Sequence, residues 1–140
     1  MGPDDSWESL RSLLLANILV IDQDAAVRGL FQTVLESAGH AVALAANADE
    51  GYEVLRSSRI EMAIVDINMS NGTGLEVLSV VQHDFPATRV LVISGEAIEY
   101  DPLQAGSLLR GVEILLKPLG VSQLLETVNR VLGSPHKEGG

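Results

Sequence analysis

Two kinds of hydrophobic pattern alternate along the chain. Short, nearly continuous apolar runs are separated by longer stretches in which apolar residues recur every three or four positions. Runs of the first kind are typical of strands buried on both faces of a parallel sheet, and the second spacing is typical of amphipathic helices. The strands predicted in this way cover 17–21, 41–45, 60–65, 89–93 and 112–116.

The stretches between and after these strands predict five helices. The first and the last have the clearest helical spacing, and Gly39 and Gly133 mark their C-terminal ends. Pro102 and Gly106 indicate that the fourth helix is short or irregular. The predicted helices cover about 27–38, 48–57, 74–84, 96–110 and 121–132.

Strands that alternate with helices predict an α/β domain with a five-stranded, parallel, doubly wound sheet and helices on both faces. We expect this domain to cover residues 16–133, followed by a C-terminal tail over 134–140. Residues 1–15 are predicted to be either an N-terminal tail or the end of a linker helix that arrives from another domain.

The composition supports a folded domain and limits its partners. Hydrophobic residues make up 46% of the 140 residues, cysteine is absent, and nine basic residues stand against nineteen acidic ones. The lack of cysteine excludes a thiol nucleophile and a cysteine-ligated metal site. A formal net charge of −10 disfavours direct binding to nucleic acid or to an anionic membrane. Because no apolar run is long enough to span a bilayer and the N-terminus is acidic, the sequence predicts a cytoplasmic protein.

Polar side chains stand where four of the predicted strands end. Asp22 follows the first strand, Asp66 the third, Ser94 the fourth and Lys117 the fifth. The carboxyl ends of parallel strands share one edge of the sheet, so these four side chains are expected to meet in one shallow crevice. A single strand-end Asp or Ser is an ordinary loop residue, but four such groups at one edge predict a site.

The chemistry of these four groups suits phosphoryl transfer. Two nearby carboxylates repel each other unless a cation lies between them, and Mg²⁺ or Mn²⁺ with oxygen ligands would fill that role. One carboxylate can then attack phosphorus as a nucleophile. Lys117 would offer a positive charge to the phosphoryl group and Ser94 a hydrogen bond.

Four segments resemble the receiver domains of two-component response regulators, and the resemblance covers residues 16–133. The family's first strand and acidic loop correspond to ILVIDQDAAVR, and its phosphorylated strand and loop to MAIVDINMSNGTGLEVL. The strand that carries the switch hydroxyl corresponds to VLVISGEA, and the Lys-Pro turn to GVEILLKPL. The resemblance implies a flavodoxin-like sheet with the strand order 2-1-3-4-5.

The resemblance also implies the role of each group. Asp66 would be the phosphoacceptor, Lys117 would hold the phosphoryl group, and Ser94 would be the hydroxyl that turns inward after phosphorylation. Pro118 would follow Lys117 through a cis peptide bond.

The implied metal ligands are Asp22, Asp66 and the backbone carbonyl of Asn68, with Gln23 contributing through a bound water. The side chains of Asn68 and Glu96 stand where the family tunes dephosphorylation, although both could be ordinary exposed polar residues.

Three positions depart from the family pattern. Gln23 replaces the second of two adjacent acids, which predicts weaker Mg²⁺ binding. Asp24 could compensate, but its position favours a helix N-cap. Ile114 stands where the family commonly has an aromatic switch residue, and Ser70 replaces a usual proline.

As a receiver, the chain would take a phosphoryl group from a histidine kinase or a histidine phosphotransfer protein. It would catalyse its own phosphorylation and dephosphorylation without being a turnover enzyme, and it would pass a conformational change to an effector or output domain through the face formed by 96–125. A homodimer through that face is also open. The chain could be a stand-alone receiver or a piece of a larger regulator or hybrid kinase.

Two alternatives remain open at this stage. One is a pseudo-receiver that only binds proteins, which Gln23 and Ile114 favour. The other is a phosphohydrolase of the haloacid dehalogenase type, because Asp22-Gln23-Asp24 resembles that family's Asp-x-Asp motif with Asp22 as the nucleophile. Flavodoxin-type binding of flavin is excluded because no Ser/Thr/Gly-rich loop follows the first strand.

Four further residues resemble functional groups but favour simpler interpretations. His40 and His83 are expected on the surface and lack the spacing of metal ligands. Gly72 and Gly74 do not fit a phosphate-binding loop and are interpreted as turn glycines.

Overall fold

A computed structural model describes residues 15–69, 73–95, 109 and 111–133. The five strands pair in parallel in the order β2-β1-β3-β4-β5, which confirms the predicted doubly wound sheet and its strand order. The elements are β1 (Asn17–Ile21), α1 (Ala25–Ser37), β2 (Ala41–Ala45), α2 (Ala48–Ser57), β3 (Met62–Asp66), α3 (Thr73–Asp84), β4 (Arg89–Ser94), β5 (Glu113–Leu116) and α4 (Val121–Gly133).

The described helices follow the predicted ones closely, and the helix predicted over 96–110 lies almost entirely outside the described residues. None of the described helices is long and apolar enough to cross a membrane.

Two apolar layers hold the sheet, one on each face. On one face α1 and α4 pack against side chains such as Ile18 and Ile64, through Phe31, Leu35 and Val128 among others. On the other face α2 and α3 pack against alternate residues of the same strands. Because successive strand residues point to opposite faces, β1 and β3 are buried on both sides.

The two edge strands differ from the expectation that every strand is buried on both faces. In β5 only Leu115 is buried, while Ile114 and Leu116 are 36% and 56% exposed. Edge strands lie at the border of the layers that cover the centre of the sheet, so an apolar run alone does not reveal a half-exposed strand.

Side-chain caps begin the first two helices. The carboxylate of Asp24 accepts hydrogen bonds from the backbone N–H groups of Ala26 and Val27, which confirms its role as the N-cap of α1. Asn47 caps α2 by accepting from Glu50 N at 2.9 Å. Both helices therefore start immediately above the carboxyl edge of the sheet, where the strand-end polar groups lie.

Gly74 belongs to the first turn of α3, so its interpretation as a turn glycine is wrong. A Cβ at this position would lie 2.5 Å from the backbone of Ile67. Glycine is needed here because the helix touches the loop that follows β3 without an intervening side chain. Gly72 lies outside the described residues.

The expectation that His40 lies on the surface is also wrong. Its side chain is buried just before β2, and its Nδ1 accepts a hydrogen bond from Ala16 N at 3.2 Å. The imidazole satisfies a backbone N–H next to the start of β1, a need that the sequence pattern does not display. His83 is exposed near the end of α3, as expected.

Candidate functional site

The strand order positions the candidate site at the carboxyl edge of the sheet. The chain leaves β1 toward β2 on one side and returns to β3 on the other, so the strand order reverses between β1 and β3. In doubly wound sheets the crevice at such a reversal is the usual place for ligands. Asp22 follows β1 directly and Asp66 is the last residue of β3, so both carboxylates stand at this crevice.

Lys117 joins these two carboxylates from the far edge of the sheet. It follows β5, and its Nζ lies 3.0 Å from Asp22 Oδ2 and 3.4 Å from Asp66 Oδ2. Its backbone N–H donates to Ser94 O at 2.7 Å, which fixes the start of the turn beside β4. The peptide bond from Lys117 to Pro118 is cis, as the resemblance implied. The structure therefore brings together three of the four side chains expected to meet.

The loops after β1 and β3 orient the two carboxylates in the same way. Asp22 Oδ1 accepts from Asp24 N at 2.8 Å, and Asp66 Oδ1 accepts from Asn68 N at 2.9 Å. Each is the short side-chain-to-backbone bond that aspartate forms two residues along a turn. One oxygen of each carboxylate is thus held by its own loop, and the other oxygen faces the Lys117 ammonium.

Ser94, the fourth predicted group, makes a different contact. It is fully buried at the end of β4, and its Oγ donates to Asn68 Oδ1 at 2.8 Å. Gly95 N donates to the same oxygen, also at 2.8 Å. The Asn68 side chain therefore links the loop after β3 to the end of β4.

Arg28 is a contributor that sequence reasoning missed. From α1 its Nη1 donates to the backbone carbonyl of Asp22 at 2.6 Å. The Arg28 guanidinium is thus a second cation at the acidic loop, and it stabilises the loop through the backbone and not through the carboxylates. The available signal was an arginine one turn into the helix that begins directly after the acidic loop.

The charges at the site depend on burial and on the lysine. Burial raises the pKa of Asp22, and the charge of Asp66 adds to that effect, although the bonds from Asp24 N and Lys117 oppose it. Burial alone would lower the pKa of Lys117, but the hydrogen bonds and charges of Asp22 and Asp66 outweigh it, and the pKa is raised. The Lys117 ammonium therefore stays charged between the two carboxyl groups.

The residues present fit a hard divalent cation with few protein ligands. Among the described residues there is no cluster of three or more acidic, histidine or cysteine side chains that could hold a metal. Mg²⁺, however, commonly uses one or two carboxylates and keeps several waters. Asp22 and Asp66, whose carboxylates approach the same ammonium, make up such a partial set.

The remaining predicted site residues lie around this centre. Gln23 is exposed and borders an open cleft of about 330 Å³ between the starts of α2 and α3. Ile114 lies on β5 in register with Val92. Glu96 lies outside the described residues, as does much of the predicted partner face 96–125.

Comparisons with known proteins place these observations in a family. The sequence profile of the response regulator receiver domain matches residues 18–129. The alginate biosynthesis transcriptional regulatory protein AlgB of Pseudomonas aeruginosa is 28% identical over 110 residues, which are 76% of this chain and 24% of AlgB. Regulatory protein VirG of Rhizobium rhizogenes is 28% identical over 120 residues, or 84% of this chain and 48% of VirG. The chain thus spans about a quarter to a half of the length of these relatives.

Solved structures agree in fold. A CheY-like receiver domain protein from Methanospirillum hungatei superposes with a TM-score of 0.76 at 26% identity, covering 84% of this chain and 94% of that one. A response regulator from Burkholderia pseudomallei, solved with a phosphorylated aspartic acid, a calcium ion and citrate, has a TM-score of 0.69 at 31% identity, covering 80% and 65%. The chain belongs to the receiver domain family of the response regulators of two-component systems.

Proposed function

We propose that this domain accepts a phosphoryl group on Asp66 from a phosphohistidine donor, with Mg²⁺ or Mn²⁺, and answers with a change of conformation. The observation that carries the proposal is the Lys117 ammonium, which lies within 3.4 Å of one oxygen of each carboxylate at the crevice. An ammonium in that place neutralises the charge that a phosphoryl group would bring to Asp66.

Exposure favours Asp66 over Asp22 as the nucleophile. The Asp66 side chain is 8% exposed, while that of Asp22 is 2% exposed. Both carboxylates are held by a loop N–H and by Lys117, but Asp66 Oδ2 lies farther from Lys117 Nζ, at 3.4 Å against 3.0 Å for Asp22 Oδ2. This difference, together with the family match, supports the receiver interpretation over the hydrolase alternative.

The proposed step needs no general base, because an ionised carboxylate is already a nucleophile. Asp66 Oδ2 forms a bond to phosphorus, the bond from phosphorus to the imidazole nitrogen breaks, and its electron pair leaves with the imidazole. Lys117 Nζ, already beside Asp66 Oδ2, pairs with the new phosphoryl oxygens. A divalent cation bound at Asp22, Asp66 and the Asn68 carbonyl would supply further charge neutralisation, with Gln23 acting through a water.

The partners proposed for the domain follow from the same function. A histidine kinase or a histidine phosphotransfer protein would supply the phosphoryl group in the cytoplasm. An effector or output domain, or a second copy of the chain, would contact the face that contains Ile114, Leu116 and Val121, three apolar side chains that are exposed.

The test is incubation with acetyl phosphate and Mg²⁺, followed by intact mass measurement. We expect the wild type to gain the mass of one phosphoryl group and Asp66→Asn to gain none. Asp24→Asn is the matched control, because it removes a carboxylate of the same loop region while asparagine still caps α1. Addition of a chelator is expected to abolish the gain in mass.

The other outcomes identify the alternatives. A phosphoryl group that persists in Asp66→Asn and disappears in Asp22→Asn would show the hydrolase mechanism. A wild type that folds and never gains mass would contradict the proposal and favour the pseudo-receiver alternative.

A further inference from the structure

The Ser94 hydroxyl donates a hydrogen bond to the side chain of Asn68. Ser94 Oγ and Gly95 N both lie 2.8 Å from Asn68 Oδ1. Since a backbone N–H can only donate, the shared atom must be the amide oxygen, which fixes the orientation of the Asn68 amide. Two donors from the end of β4 therefore converge on one acceptor from the phosphoacceptor loop.

A serine hydroxyl carries a single proton, so it donates to one acceptor at a time. While that proton is directed at Asn68 Oδ1, it cannot be directed at a phosphoryl oxygen on Asp66. Ser94 is fully buried at the end of β4, so its hydroxyl needs a new acceptor when the bond to Asn68 breaks.

The loop geometry prevents Asn68 from simply moving away with the phosphoryl group. Its backbone N–H donates to Asp66 Oδ1 at 2.9 Å, and Asp66 ends a fully buried strand. Ser94 can therefore reach a phosphoryl oxygen only by giving up its bond to Asn68 Oδ1, either by rotation of its own hydroxyl or by a turn of the Asn68 side chain.

We propose that the Asn68 side chain is a positioning residue that holds the Ser94 hydroxyl in the unphosphorylated arrangement and competes with the phosphoryl group for it. The proposal rests on the function proposed above. It gives one amide oxygen a part in the opposition to switching, in a domain where Ile114 stands at the position of the aromatic switch residue.

The experiment measures the binding of beryllofluoride, an unreactive phosphoryl analogue, in the presence of saturating Mg²⁺. Because the analogue is not hydrolysed, its affinity is independent of any effect of Asn68 on dephosphorylation. Asn68→Ala keeps the backbone carbonyl and N–H, and we expect it to bind about fivefold more tightly, the factor that corresponds to one neutral hydrogen bond. Mg²⁺ affinity is measured separately for each variant, so that an effect on the metal can be subtracted.

A double-mutant cycle isolates the contact. In the Ser94→Ala background the hydroxyl that Asn68 competes for is gone, so Asn68→Ala is expected to produce little or no gain. An equal gain in both backgrounds would overturn the proposal, because the effect would then not pass through Ser94.

A wild type that binds no analogue would instead contradict the proposed function, so the two failures are distinguishable.

Discussion

The imidazole of His40 is buried next to the start of β1 and accepts a hydrogen bond from Ala16 N. Burial lowers its pKa below the ordinary value of 6.5. Protonation of Nδ1 would remove the acceptor and place a charge in a dry environment, so the folded state favours the neutral ring.

The pH dependence follows from that direction. Because the unfolded chain takes up the proton more readily, the contribution of His40 to stability is complete above about pH 6.5 and is lost as the pH falls from there toward the folded pKa. We expect the free energy of unfolding, measured with urea, to fall less between about pH 7 and pH 5 in His40→Asn, whose Oδ1 can replace Nδ1 as an acceptor. His83→Asn, which changes an exposed histidine, is the control and is expected to keep the wild-type slope. Identical slopes in all three proteins would refute the prediction.

Gln23 leaves the site with two carboxylates where a third would stand in most receivers. Each added anionic oxygen strengthens the attraction for Mg²⁺. We expect Gln23→Asp to bind Mg²⁺ about tenfold more tightly by calorimetric titration, which corresponds to about 1.4 kcal/mol. Gln23→Asn tests whether position or charge matters and is expected to leave the affinity near the wild-type value. No gain from the aspartate would remove the argument that this position weakens the metal site.

Side-chain partners were harder to predict from the sequence than side-chain positions. Asp22, Asp66 and Lys117 could be placed at one edge because their positions follow from where strands end. The bond between Asn68 and Ser94, and the contact from Arg28 to the Asp22 carbonyl, depend on rotamers and on local loop shape. Hydrophobic periodicity carries no information about rotamers or loop shape.

At the scale of the elements, two helical glycines provide a matched comparison. A Cβ at Gly74 would lie 2.5 Å from the Ile67 backbone, whereas a Cβ at Gly29 would have nothing within 4 Å. Backbone cannot move aside as the end of a flexible side chain can, so α3 would be forced away from the loop after β3.

We therefore expect Gly74→Ala to lower the free energy of unfolding by about 3 kcal/mol. Gly29→Ala is expected to raise it by about 0.5–1 kcal/mol, because alanine favours a helix interior. Chemical denaturation of both variants checks the pair. Equal shifts in the same direction would show that helix propensity, and not the contact with Ile67, decides the effect.

Strand bounds were predicted to within two residues because apolar runs and the turns between them mark strands directly. The third run began at 60 in the prediction, while β3 is Met62–Asp66. Ile60 is buried without belonging to the strand, so burial and strand pairing do not coincide there. The strand order came from the family resemblance, since local patterns do not specify which strands are neighbours.

At the scale of the whole molecule, the site is assembled from both ends of the sequence. Asp22 comes from the first strand and Lys117 from the turn after the last, 95 residues apart. The sheet order places β5 at the edge, beyond β4, so the lysine reaches the crevice only when β5 has paired with β4.

That long connection has a consequence for synthesis on the ribosome. A nascent chain that has not yet released its final strand holds two neighbouring aspartates without their ammonium partner. On the function proposed above, competence to receive a phosphoryl group is therefore acquired only with the last part of the domain.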